Sequence, residues 1–218
     1  MTPFHQQQHA DTSPPPSAVN AVQFACGGAV IVTAGYDRSV RWWDCRSNSF
    51  DPIQVCTPFS DSVTCLAPVT GHVITAGSVD GTLRAFDVRL GKCTTDTLGA
   101  PVTGVATSRD GACLLAALTG PSVLRLLDCA RGILLAQYTG HVNPTAKCGA
   151  ALTADDARVV AGGEDGRVCV WDVVDASLET SLEAHPGHTV CGLDCHPTIP
   201  SSMVTCATDG SVKVWGHY

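Results

Sequence analysis

Five times along this 218-residue chain a strand-like run closes on a similar short ending: Arg41-Trp42-Trp43-Asp44, Arg84-Ala85-Phe86-Asp87, Arg125-Leu126-Leu127-Asp128, Cys169-Val170-Trp171-Asp172 and Lys213-Val214-Trp215-Gly216. Successive endings lie 43, 41, 44 and 44 residues apart. An interval that constant means one supersecondary unit copied along the chain, and about 40 to 45 residues hold four short strands with their turns. Such a unit cannot bury its faces alone and gains stability from its neighbours.

The text inside each unit agrees. In the second, Ser62–Ala67, His72–Ala76, Thr82–Phe86 and Cys93–Leu98 are short runs rich in β-branched residues, and Gly, Asp or Pro fills each gap. That reads as an antiparallel meander of four strands, and no segment shows sustained helical periodicity. Seven residues before each ending stand Asp37, Asp80, Pro121, Asp165 and Asp209, and three of the aspartates precede glycine. Asp-Gly between strands predicts a two-residue type I′ hairpin. Runs such as Ala29–Val32 and Arg158–Ala161 are apolar without strict alternation, as expected of sheets covered on both faces. The predicted fold is all-β, a propeller of four full blades (Val19–Cys56, Ser62–Leu98, Val102–Tyr138, Thr145–Leu182) and a three-stranded fifth (Thr189–Trp215).

Gly140-His141, the Asp-Gly turns and the Trp-Asp endings together resemble the WD-repeat β-propeller family over residues 19 to 216. The resemblance implies a buried network of a histidine, a second-strand Ser or Thr, the hairpin aspartate and the third-strand tryptophan. His141, Asp165 and Trp171 match three of its members in one unit, while Val160-Ala161-Gly162 lacks the fourth. The remaining structural positions are Asp37, Trp43, Asp44, Asp80, Asp87, Asp128, Asp172, Asp209 and Trp215. Pro121, Leu127 and Gly216 depart from the pattern, so the third unit is expected to be the least specified in its turn. The resemblance also implies seven blades, which leads one to expect a chain short of two N-terminal units. Strings such as Gly35–Arg41, Pro52–Val55, Ala76–Gly81 and Leu124–Asp128 are similar to a scaffold branch of that family associated with mitogen-activated protein-kinase signalling and with spliceosomes.

Composition narrows the chemistry. The formal charge is −7 and no Lys/Arg cluster exists, so the counterion-release term behind nonspecific nucleic-acid affinity is missing. No apolar run approaches the roughly 18 residues of a membrane span. Residues 1–18 carry Gln6–Gln8 and Pro14–Pro16 and predict a disordered tail before a propeller over 19–218. Twelve cysteines without a signal-peptide pattern at the N-terminus read as small buried hydrophobes in a reducing compartment, cytoplasm and nucleus. Cys191, Cys195, His185, His188 and His196 crowd one stretch, yet Cys191 and Cys195 are expected on one strand face and lack the spacing of a structural zinc site. No nucleophile elbow or phosphate loop is present, so no enzyme activity, cofactor, metal or small-molecule substrate is expected.

What remains is protein binding. A rigid frame presents loops as docking points, and the loops entering the innermost strands share one end with the second-to-third hairpins. Tyr36, Arg38, Asp61, Asn143 and Lys147 are the candidates there: polar or aromatic, expected to be exposed, and not needed by the hairpins. The expected role is a scaffold for signalling kinases or splicing factors. Trp43-Asp44-Cys45-Arg46 and Phe86-Asp87-Val88-Arg89 also look like the boxes of substrate receptors for cullin-type ubiquitin ligases. A truncated product with no independent role is a third reading, motivated by the unclosed array.

Overall fold

The computed structural model describes residues 18–216, so the expected disordered tail lies outside the described residues apart from Ala18. Nineteen strands run in chain order among the described residues: β1 Val19–Ala25, β2 Val30–Gly35, β3 Val40–Asp44, β4 Gln54–Cys56, β5 Val63–Thr70, β6 Val73–Ser78, β7 Thr82–Asp87, β8 Lys92–Thr97, β9 Val102–Thr107, β10 Cys113–Leu118, β11 Val123–Asp128, β12 Leu134–Tyr138, β13 Ala150–Leu152, β14 Arg158–Gly162, β15 Arg167–Asp172, β16 Leu178–Glu183, β17 Val190–Cys195, β18 Met203–Ala207 and β19 Val212–Trp215. They form four four-stranded sheets and one of three strands, each pairing in sequence order. The all-β blade architecture expected from the repeat is therefore present, in five blades.

The chain divides into two compact units, one ending at Val102 and one beginning at Thr103. In the first, Val32 and Trp42 of blade one pack with Phe59 of the connecting loop and with Ile74 and Phe86 of blade two, and Trp42 meets Phe86 edge-on at 5.4 Å. In the second, Leu115, Leu124 and Tyr138 of blade three pack with Val159 and Trp171 of blade four. Val160 and Val168 of blade four pack with Val190, Leu193 and Trp215 of blade five. Sheet faces cover each other, which is why β14 can bury four consecutive residues, Val159 to Gly162, with Val159 and Ala161 against blade three and Val160 against blade five. The fourth strands β8 and β16 face solvent and are correspondingly polar.

Three first strands carry a bulge near their start, at Asn20, Thr64 and Cys191. An extra residue is left out of the ladder there and its side chain is re-aimed. Asn20 Nδ2 donates to the Val63 carbonyl at 2.9 Å, and Thr64 Oγ1 donates to the Val102 carbonyl at 2.5 Å.

Two expectations about local structure change. The Asp-Gly hairpins are not type I′. Only the glycines, Gly81, Gly166 and Gly210, have positive φ, and each N–H returns to the carbonyl three residues back, at Ser78, Gly163 and Ala207. A three-residue loop places the aspartate in a type I turn and the glycine in the left-handed bulge position. The strand expected from Thr145 begins only at Ala150. Glu164 accepts the N–H groups of Thr145 and Ala146, both at 2.6 Å, and a ladder would need those donors.

Candidate functional site

The hairpin end of four of the five blades is organised by an aspartate. Asp80 accepts the Thr82 N–H and hydroxyl, Asp165 the Arg167 N–H, and Asp209 the Ser211 N–H and hydroxyl. Burial pushes the Asp37 carboxyl up, but hydrogen bonds from Ser39 and a 2.6 Å ion pair with Arg41 outweigh it and hold it below the ordinary range. The blade-ending aspartates cap the next turn in the same manner. Asp44 accepts the Arg46 N–H, Asp87 those of Arg89 and Leu90, Asp128 those of Ala130 and Arg131, and Asp172 those of Val174 and Asp175. These short carboxylates bind their own backbone two and three residues on, so they shape turns and are not free for a ligand.

The third hairpin has Pro121 where the others have aspartate, and it closes differently. Gly120 and Ser122 both take positive φ, Gly120 N–H reaches the Pro144 carbonyl at 3.0 Å, and the Ser122 hydroxyl accepts the Asn143 N–H at 2.9 Å. The turn is tied to the following loop instead of to itself.

Against this frame the five docking candidates separate. Tyr36 is 70 % exposed at the tip of the first hairpin. Arg38 is exposed beside it with φ 66°, in the left-handed position that Gly81, Gly166 and Gly210 fill elsewhere. A side chain there costs about 1–2 kcal/mol. Asp61 is exposed, accepts the Ser62 N–H at 2.6 Å, and gives its carbonyl to the Ser78 hydroxyl. Lys147 is exposed. Asn143 differs from expectation: it is only 1 % exposed, because Ser122 and Glu164 strap its loop down. It is withdrawn as a docking residue.

The buried polar network also falls elsewhere than expected. His141 is buried and stands edge-on to Trp171 at 5.6 Å, yet neither ring nitrogen has a hydrogen-bond partner among the described residues. Trp171 Nε1 donates to the Thr139 carbonyl instead, and burial pushes the His141 imidazole down despite nearby Asp165. The connected version is in blade five. Trp215 Nε1 donates to Thr205 Oγ1 at 2.9 Å, which lies 2.8 Å from His185 Nε2; His185 Nδ1 lies 2.8 Å from Ser211 Oγ, whose hydroxyl donates to Asp209 at 2.8 Å. Counting one proton per donor assigns His185 as the Nδ1-protonated tautomer, with Thr205 donating to Nε2. Blade one holds a shorter version, Trp43 Nε1 donating to Thr33 Oγ1 at 2.9 Å.

His185 was legible in principle. Its interval to Asp209 equals that from His141 to Asp165, 24 residues, but Ala184 stands where Gly140 precedes His141.

The cysteines are less uniform than expected. All twelve are free thiols; Cys65, Cys148 and Cys169 are buried, whereas Cys45 and Cys191 are exposed. Cys191 and Cys195 do not share a face, because the bulge between Val190 and Gly192 breaks the alternation that would place them together. Among the described residues no group of three or more His, Cys, Asp or Glu is placed to hold a metal ion, and no helix is long and apolar enough to cross a membrane.

Comparison with known proteins follows the same pattern. The family described as WD domain, G-beta repeat matches residues 7–44, 50–87, 132–172 and 176–216, passing over the unit that carries Pro121 and Leu127. WD repeat domain-containing protein 83 of Rattus norvegicus is 41% identical over 171 residues, covering 78% of this chain and 53% of its own length. The Homo sapiens protein of that name is 41% identical over 165 residues, covering 76% and 51%. A Dictyostelium discoideum homolog is 26% identical over 96% of this chain and 70% of its own length. The chain thus spans about half the length of the mammalian relatives it matches. Among solved structures, a chain of one titled "Crystal Structure of Mitotic Checkpoint Complex" superposes with a TM-score of 0.81 at 20% identity, over 94% of this chain and 63% of that one. At that identity the likeness concerns the fold.

Proposed function

Because this chain belongs to the WD-repeat β-propeller family, we propose that it is a non-catalytic scaffold whose hairpin ends dock partner proteins. The observation that carries the reading is Arg38, an exposed cation held in a left-handed conformation beside exposed Tyr36, where three of the other hairpins use glycine. Strain of this kind, kept where a strain-free residue is available, marks a position selected for something other than the turn. An aromatic and an arginine side by side are the residue types that dominate protein interfaces. Asp61 and Lys147 belong to the same class of exposed loop positions.

The strings similar to the kinase-organising and spliceosomal scaffold branch support signalling kinases or splicing factors as the partners, met in cytoplasm and nucleus. A net charge of −7 favours proteins over nucleic acid as the ligand.

The test separates docking from folding. Arg38→Gly removes the guanidinium while relieving the turn, so the variant is expected to be more stable by about 1 kcal/mol and to lose partner capture. Affinity purification with quantitative mass spectrometry is expected to show kinase or splicing components reduced at least tenfold for Tyr36→Ala/Arg38→Gly. Wild-type recovery of those components by the double variant overturns the docking site. Their absence from the wild-type sample overturns the partner class.

A further inference from the structure

Cys191 and Cys206 acquire a relationship that their positions in the chain do not suggest. The register of β17 on β18 runs from Val190 opposite Ala207 to Gly192 opposite Cys206, so Cys191 is the extra residue and lies with Gly192 against Cys206. Val190, Leu193 and Cys195 pack into the core beside blade four. The bulge turns Cys191 away from them and onto the face that carries Cys206. Their sulfur atoms lie 3.9 Å apart, both are free thiols, and Cys191 is exposed while Cys206 is half-buried.

Gly192 makes the room. A Cβ at that position would meet Cys206 Sγ at 2.6 Å, so any side chain there would drive the sulfur from its place beside Cys191. Gly192 is the residue directly opposed to Cys206, and the bulge sets Cys191 beside it with its sulfur already 3.9 Å from that of Cys206. Closing the remaining gap to the roughly 2.0 Å of a disulfide falls to rotation of the two side chains and to the bulge itself.

We propose that Cys191 and Cys206 form a reversible intramolecular disulfide, with a low-molecular-weight disulfide of the glutathione type as oxidant. The Cys191 thiolate attacks one sulfur of the oxidant, forming a mixed disulfide and expelling one glutathione thiolate. Cys206 then loses its proton to solvent and attacks Cys191 Sγ, expelling the second glutathione thiolate. Two protein thiols are oxidised and one glutathione disulfide is reduced to two thiols. Exposure makes Cys191 the entry point, and burial together with the neighbouring Cys191 pushes the Cys206 thiol up, which keeps Cys206 from reacting first. The crosslink pins the bulge one residue from Thr205, the hydroxyl that joins Trp215 to His185.

The experiment equilibrates the full chain in buffers of reduced and oxidised glutathione, quenches with acid, alkylates remaining thiols and maps the peptides by mass spectrometry. The expected result is a Cys191–Cys206 crosslink that forms before any other and is lost on reduction. In Cys206→Ser the reaction is expected to halt at a glutathione adduct on Cys191, and Gly192→Ala is expected to lower crosslink yield at least tenfold in protein that retains its circular-dichroism spectrum. A wild-type chain that stops at the Cys191 adduct, links either cysteine elsewhere first, or leaves both unmodified overturns the proposal. The wild-type map decides without any variant having to fold.

Discussion

Blades four and five contain the same ingredients at the same spacing and use them in opposite ways. Each has a histidine 24 residues before its hairpin aspartate and a tryptophan six residues after it. In blade five, Thr205 and Ser211 supply hydroxyls on both sides of His185, and a continuous chain of donors runs from Trp215 to Asp209. In blade four those two positions are Ala161 and Arg167. The His141 ring is left without a hydrogen bond among the described residues, and Trp171 and Asp165 turn to backbone groups. The presence or absence of two hydroxyls therefore decides whether a buried histidine joins a network or merely fills space. A satisfied buried network strengthens cooperatively, whereas an unpaired buried polar group costs about 1–3 kcal/mol.

Deleting the two histidines separately is expected to give the largest difference between the blades. His185→Ala is expected to destabilise blade five by about 3 kcal/mol, through two lost hydrogen bonds, a stranded hydroxyl and a cavity. His141→Leu is expected to change blade four by less than about 1 kcal/mol, since it removes no hydrogen bond and replaces an unpaired polar ring with an apolar group. Native-state hydrogen exchange at β18 and β14 reads the two blades separately; equal losses would show that the networks do not differ. Next in size, Thr205→Val is expected to cost about 2 kcal/mol by stranding Trp215 Nε1 and His185 Nε2 together, seen as faster exchange in β18 and β19. An unchanged pattern would mean that Thr205 is not the junction.

The converse change sharpens the contrast. Ala161→Ser offers His141 the hydroxyl it lacks and is expected to stabilise blade four by about 1 kcal/mol, measured as slower exchange in β14 and β15. Destabilisation would show that the site is too tightly packed to accept the oxygen. The smallest effect is in pH dependence. Burial lowers the His141 imidazole in the folded protein, so the unfolded chain binds the proton more readily. Its contribution is fully present above the ordinary value near 6.5 and is lost as pH falls through that value toward the lowered folded one. His141→Leu is expected to flatten that part of the stability profile, and a profile identical to wild type between about pH 5 and 7 would rule out His141 as its source.

Strand number, order and pairing were legible because they depend on local properties: β-branched runs, turn residues at a fixed offset and a constant interval. The aspartates at Asp37, Asp80, Asp165 and Asp209 bind the backbone and side chains of residues close by in the chain, which is why their spacing is so regular. The docking candidates were less legible. Asn143 has the composition of an exposed loop residue, and only the straps from Ser122 and Glu164, 21 and 19 residues from Asn143 and Thr145, bury it. Nothing in Gly35-Tyr36-Asp37-Arg38 announces that Arg38 occupies a glycine conformation, because the turn is defined by loop length and twist once the strands have paired.

By itself, the sequence determined that this chain is an array of small antiparallel sheets and located nearly every strand, since a repeated pattern of apolar runs and turns needs only near neighbours to act. Tertiary structure decided which of two similar histidines is connected, which loop residues reach solvent, and that Cys191 faces Cys206 instead of lining up with Cys195. Each of those outcomes depends on groups 15 to 26 residues apart meeting within hydrogen-bond or sulfur-contact distance. A one-residue bulge or one missing hydroxyl is enough to reverse it, because side chains alternate faces along a strand and a buried polar atom has no water to fall back on.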